Sequence, residues 1–206
     1  VARVGRREDF GGRPVASIGY VWVGDPADGR RLLEAYEQIG RPIATDLQEM
    51  TYLDLQTKDD DDEGHALRRY CKGLYLQSLP DTAIDAFLAW SSDPLRPGAR
   101  MTLNGGAISD VPEEASAFSH RDALIEFTTS AGWTDPDQDT ARIAAARTYA
   151  AGLEPFASGV YVNTVSDPGD GVLKSVYTPA KLARLQAVKR TYDPANTFHL
   201  TQNIRP

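Results

Sequence analysis

Leu67 to Leu79, LRRYCKGLYLQSL, reads as a strand carrying Tyr70, Leu74, Leu76 and Leu79. Pro80-Asp81 follows at once and opens a helix with Ile84, Phe87 and Leu88 on one face. A strand feeding directly into a helix is the unit from which the rest of the fold can be read outward.

Upstream, Val15 to Val23 (VASIGYVWV) is a dense β-branched and aromatic run ending at Gly24, which predicts a buried strand. Asp25-Pro26 then supplies an N-cap acid followed by proline at the first helical position. Leu32, Leu33, Tyr36 and Ile39 follow at helical spacing, and Gly40 closes that helix. Met50 to Gln56 reads as a short extended or turn segment, and Asp59 to Glu63 as a solvated acidic loop without the ligand spacing of a calcium site.

Downstream, Arg100 to Val111 and Arg121 to Ala131 read as strands, with Gly105-Gly106 marking a bulge or close backbone approach. Asp135-Pro136 repeats the cap-then-proline device ahead of an Ala-rich helix to about Ala151. Ser158 to Thr164 reads as a strand and Ser166 to Gly171 as a turn. Thr178-Pro179 starts the last helix, which Asp193-Pro194 ends. Strands and helices do not alternate strictly. The order therefore predicts an α+β fold, a mostly antiparallel sheet with helices packed on one face.

Composition excludes several function classes. The chain has 206 residues and a formal charge of −7, with no Lys/Arg-rich block, so neither nucleic acid nor an anionic membrane is an expected partner. No apolar stretch approaches a membrane span. Cys71 is the single cysteine, so no intrachain disulfide can form and the expected location is cytoplasmic. No dinucleotide fingerprint, phosphate-binding loop or serine-nucleophile motif is present. His65, His120 and His199 form no paired metal-ligand spacing, so no metal site is expected. The residues by themselves indicate an α+β domain that binds a small molecule.

The C-terminal stretch, VYTPAKLARLQAVKRTYDPANTFHLTQNIRP, resembles the closing signature of the berberine bridge enzyme-like flavoproteins of the vanillyl-alcohol oxidase superfamily. The matching positions are Tyr177, Arg184-Leu185, Lys189, Tyr192-Asp193-Pro194, Asn196, Phe198 and Gln202-Asn203-Ile204 with Pro206. Tyr52 to Gln56, Tyr70 to Gly73, Leu103 to Ala107, Ala117 to Arg121 and Gly159 to Asn163 resemble further segments of the same family, in the same order. Cys71 stands where that family usually has Trp, and Thr164 where an aromatic often follows Tyr-Val-Asn.

The resemblance implies an FAD-dependent oxidoreductase that oxidises a small-molecule alcohol, amine, sugar or C–H substrate by hydride transfer to flavin. It implies a substrate-binding α+β domain over residues 1–165 and a segment over 166–206 that completes the flavin site. The FAD-binding domain, which would hold most of the cofactor, is expected in cis or in trans and is absent from this sequence. Tyr161 and Tyr70 are the implied catalytic residues. Tyr161, Asn163, Gln202 and Asn203 are implied to contact the flavin, and Gln56, Tyr70, Lys72 and His120 to line the substrate pocket. Alternate spacing on a strand would put Tyr161 and Asn163 on one face. The rival expectation is a flavin-free module that binds a ligand or a protein.

Overall fold

The structure, a computed structural model, describes residues 2–6, 14–40, 42–57, 67–90, 93–167, 170–200 and 202–206. The acidic run Asp59 to Glu63 and part of the Ser166 to Gly171 turn lie outside the described residues.

A mostly antiparallel α+β fold is what the chain adopts. Among the described residues, six strands form one sheet in the order β2-β1-β4-β5-β3-β6. They are β1 (Ala2–Arg6), β2 (Pro14–Ile18), β3 (Arg68–Leu76), β4 (Gly98–Leu103), β5 (Ile125–Trp133) and β6 (Ala157–Gly159). The centre is the pairing of β3 with β5, in continuous register from Arg68↔Trp133 to Leu76↔Ile125. β4 runs antiparallel along the other side of β5, from Gly98↔Ser130 to Leu103↔Ile125.

The period of two is clean on β5, where Ile125, Phe127, Thr129, Ala131 and Trp133 are all buried. These residues face α5 (Asp139–Leu153) and, beyond it, α3 (Asp81–Leu88). The apolar stripe of α5 is Ala145, Ala146, Tyr149, Ala150 and Leu153. Its small side chains let the helix lie close on Leu74, Leu76, Met101 and Phe127, which form the main core. Tyr149 is the large exception. It packs edge-on to Phe127 at 5.6 Å, stacks on Trp90 at 5.8 Å and donates its hydroxyl to the Phe87 carbonyl at 2.6 Å.

Helix starts follow the sequence closely. Asp25 caps α1 (Pro26–Glu37), and Thr178 accepts from the Lys181 amide to cap α7 (Pro179–Tyr192). Asp135 caps a 3-10 turn that leads into α5. Five segments differ from the sequence reading. The strand expected over Val15 to Val23 stops at Ile18, and Val21 and Val23 are exposed at 65% and 92%. Met50 to Gln56 contributes to a short helix, α2 (Tyr52–Thr57), nucleated by the Thr51–Asp54 side-chain pair. The strand from Arg100 ends at Leu103, because Gly105 (φ 129) and Gly106 (φ 53) turn the chain into the one-turn helix α4 (Ala107–Asp110). The strand expected over Ser158 to Thr164 is three residues long, and a 3-10 turn over Val162–Thr164 replaces the rest. A helix, α6 (Asp170–Val176), was not expected at all.

Candidate functional site

The alternation that buries one face of the sheet exposes the other. On that open face β3 presents Cys71, Gly73 and Tyr75, β5 presents Glu126, Thr128 and Ser130, and β4 presents Arg100 and Thr102. Their neighbours Ala99, Met101, Phe127 and Thr129 are buried on the helix side. The register sets Tyr75 opposite Glu126, Thr102 opposite Glu126 and Arg100 opposite Thr128. The floor is polar and shallow, and it is walled at one corner by aromatic rings.

That corner is built around Tyr75, which is 1% exposed. Its ring lies 5.3 Å from the His120 ring, 6.2 Å from that of Tyr161 and 6.4 Å from that of Phe118. Phe118 closes the group by meeting Tyr161 edge-on at 5.9 Å. Burial, with added repulsion from Glu126, pushes the Tyr75 phenol far above its usual range, so it stays protonated. Two glycines make room for this wall. A Cβ on Gly159 would sit 2.0 Å from the His120 ring, and one on Gly73 would sit 2.0 Å from Thr164 Oγ1.

Tyr161 stands at the rim. Asn163 Nδ2 donates to its phenol oxygen at 2.8 Å, which fixes the ring tip and leaves the hydroxyl hydrogen available to a ligand. The two side chains meet through the 3-10 turn, not through the strand pleat that their spacing suggested. His120, at φ 60, is held by Tyr75 and Gly159, and its Nε2 lies 3.0 Å from the Ser175 carbonyl. That contact requires the proton on Nε2.

The loop that carries Phe118 and His120 is clamped from below by α7. Lys181 is 2% exposed, and its Nζ donates to Glu113 Oε1 at 2.5 Å and to the Phe118 carbonyl at 2.7 Å. Despite partial burial, this pairing holds the Glu113 carboxyl below its ordinary range. Arg184 adds a bond to the Glu114 carbonyl at 2.7 Å. Nothing in the sequence pattern marked Lys181, because a lysine at a helix surface position reads as solvated. Glu126 was missed for a related reason. A single acid in an alternating strand carries no motif, and only the register shows it beside Tyr75.

Tyr70 and Lys72 do share a strand face, as expected, but it is the helix face. Tyr70 is buried. Its hydroxyl donates to Asp167 Oδ2 at 2.7 Å and accepts from Arg147 Nε at 3.2 Å. Burial first, and the hydrogen bond to Asp167 second, raise its phenol to about 12. Five residues separate it from Tyr75 along one strand, so Tyr70 and Tyr161 are not brought together. Lys72 pairs with Glu154 at 2.8 Å and lines a cavity of about 530 Å³ at the β3–β6 edge with His120, Asp167 and Lys174. Gln56 is exposed on α2 and joins neither the cavity nor the aromatic corner.

The tail folds back over this edge. Gln202 Nε2 donates to the Val165 and Asp167 carbonyls at 3.1 and 3.3 Å. The neighbouring Asn203 Oδ1 is buried and has no hydrogen-bond partner among the described residues. A buried acceptor left unsatisfied costs free energy. A ligand N–H would satisfy it, and the edge of a flavin ring offers one.

Residues 160–205 match the family described as berberine and berberine like. That segment is berberine bridge enzyme-like. It is 28% identical over 199 residues to the FAD-linked oxidoreductase YvdP of Bacillus subtilis (strain 168), covering 90% of this chain and 43% of that protein. It is 30% identical over 169 residues to the aclacinomycin-N/aclacinomycin-A oxidase of Streptomyces galilaeus, covering 70% of this chain and 30% of the oxidase. The fold superposes on 6-hydroxy-D-nicotine oxidase of Arthrobacter nicotinovorans with a TM-score of 0.78 at 19% identity, over 100% of this chain and 47% of that one. The chain thus spans less than half the length of each of these proteins.

Proposed function

We propose that this chain is the substrate-side part of an FAD-dependent oxidoreductase that oxidises a small organic molecule held on the open face of its sheet. The observation that carries the reading is the buried Oδ1 of Asn203, unpartnered among the described residues, in a tail that Gln202 pins beside the functional edge. The residues fit the cofactor. Asn203 would accept from the flavin ring, and the Asn163 amide and Tyr161 hydroxyl at the rim offer further polar contacts.

When bound, FAD supplies the two-electron acceptor. The chain's own residues handle position and protons. Glu126, beside Tyr75, accepts the proton that leaves the substrate's hydroxyl or amine. Tyr161 donates its free hydroxyl hydrogen to orient the reacting group. Tyr75, Phe118 and His120 form a wall that keeps water from that corner.

The second part of the reading concerns the partner. Tyr192, Phe198 and Leu200 are exposed at 83%, 80% and 93%, and Tyr52 and Leu53 at 76% and 69%. Large apolar side chains at that exposure mark surfaces that another body covers. We assign that body to a flavin-binding domain, supplied in cis or in trans.

The test is to produce the chain together with that domain and to record flavin content and anaerobic flavin bleaching by a panel of alcohols, amines and sugars. Bleaching by at least one member, with flavin content falling in Asn203→Ala, is the expected result. A flavin-replete protein that no member of the panel reduces would overturn the enzymatic reading, and unchanged flavin content in Asn203→Ala would overturn that residue's role.

A further inference from the structure

We propose that Arg100 is a specificity-determining residue that selects substrates carrying a carboxylate. The inference rests on the open-face reading above and adds a substrate class to it.

Arg100 sits on β4 between Ala99 and Met101, both buried on the helix side, so its own side chain lies on the open face. It is exposed and makes no hydrogen bond or ion pair among the described residues. Its same-face neighbours are Gly98, Thr102 and Thr128, none of which can neutralise it. The acid within reach is Glu126, one diagonal step away, since Arg100 pairs with Thr128 and Thr102 with Glu126. Two residues along a strand span about 7 Å, which long side chains can bridge. No Arg100–Glu126 ion pair is formed, and the carboxyl of Glu126 lies near Thr128 Oγ1 at 3.4 Å instead. The Cys71 thiol nevertheless feels both groups, Arg100 lowering and Glu126 raising it against the larger upward push of burial. Both charges therefore bear on the same patch of floor.

Arginine's planar fork matches a carboxylate with two parallel hydrogen bonds. A substrate with its carboxylate on Arg100 would lie across the floor with its other end toward Glu126 and Tyr161. One end of the floor thus recognises and the other takes the proton.

The experiment uses the flavin-loaded protein and matched pairs that differ only in the acid: D-glucuronate with D-glucose, and mandelate with methyl mandelate. The ratio of kcat/KM for acid over neutral partner is measured for the wild type, Arg100→Met and Arg100→Lys. The expected result is a wild-type preference for the acid in at least one pair. That preference should fall about tenfold or more in Arg100→Met, and Arg100→Lys should recover part of it by keeping charge without the fork. An unchanged ratio in Arg100→Met, or a wild type that favours the neutral members, overturns the proposal. So does loss of flavin from Arg100→Met, which would assign the anion site to the cofactor. If no pair is turned over, the same compounds are titrated against the flavin absorption band. Tighter binding of the acid by the wild type, lost in Arg100→Met, supports the proposal, and equal binding sinks it. A protein that binds the acids through Arg100 but reduces its flavin with nothing would mark failure of the enzymatic reading alone.

Discussion

Glu126→Gln keeps the size of the side chain and removes its capacity to take a proton. In the flavin-loaded protein kcat should fall about 10²- to 10⁴-fold, the usual contribution of a positioned base, with KM changed far less. Stopped-flow flavin reduction would measure it directly, and a drop confined to KM would reassign Glu126 to binding. Lys181→Met tests a different kind of residue. It leaves Glu113 without its buried partner and frees the Phe118 carbonyl, and breaking such a pair costs about 3–5 kcal/mol. Chemical denaturation should show that loss. Asp193 adds a pH signature. Its carboxylate is held at about 2, first by Lys189 and then by the Thr197 and Phe198 amides. A carboxyl whose pKa is depressed in the folded state contributes stability that is present above its unfolded value of about 4 and lost as pH falls toward 2. Melting temperature should decline across that window in the wild type and decline less steeply in Asp193→Asn.

Among the elements, helix starts were the most legible from sequence. Asp25-Pro26, Asp135-Pro136 and Thr178-Pro179 each place an oxygen acceptor where the first free amides need one, and the structure uses all three. Strand ends were less legible. Val15 to Val23 has strand composition, yet the strand stops at Ile18 and Val21 and Val23 remain exposed, because β propensity is realised only where a neighbouring strand exists to accept it. The site was legible as a set of residues but not as an arrangement. Tyr161 and Asn163 do meet, through a turn that spacing could not foresee. Tyr70 and Tyr161 are parted by the pleat of β3, which a list of aromatic residues cannot show. Gly73 and Gly159 were not singled out, yet the close packing of Thr164 and His120 depends on them. Gly73→Ala should destabilise the fold by about 1–3 kcal/mol through overpacking. Adding Thr164→Ala, which removes the nearest atom, should return part of that, and equal melting temperatures for the single and double variants would contradict the close approach.

For the whole molecule, the most exposed of the described large apolar side chains, Val23, Ile39, Ile43, Tyr52, Tyr192, Phe198 and Leu200, fall in two regions, the 18–57 excursion and the C-terminal stretch. Produced by itself, the chain should bind a hydrophobic dye strongly and elute as associated species. Produced with a flavin-binding domain it should bind the dye weakly and elute as one species. The berberine bridge enzyme-like signature lies in the region that reaches back to β3 through Tyr70–Asp167, Cys71–Ser166 and the Lys72–Val165 bridge, so the matched segment and the open-face floor form one connected body.

The strand order has a further consequence, for the time course of synthesis. β1 can pair with β2 as soon as both exist, but its other neighbour is β4, some ninety residues later in the chain. Until Gly98–Leu103 leaves the ribosome, the N-terminal hairpin presents an unfilled strand edge, and even then β4 lacks β5. β4 and β3 are joined only when Ile125–Trp133 arrives and inserts between them, and β3 gains its other neighbour, β6, later still. Nascent chains stalled before that point carry an open template for wrong pairing, so the yield of this fold in a cell depends on what shields the stretch from β1 to β4 while the central strand is being made.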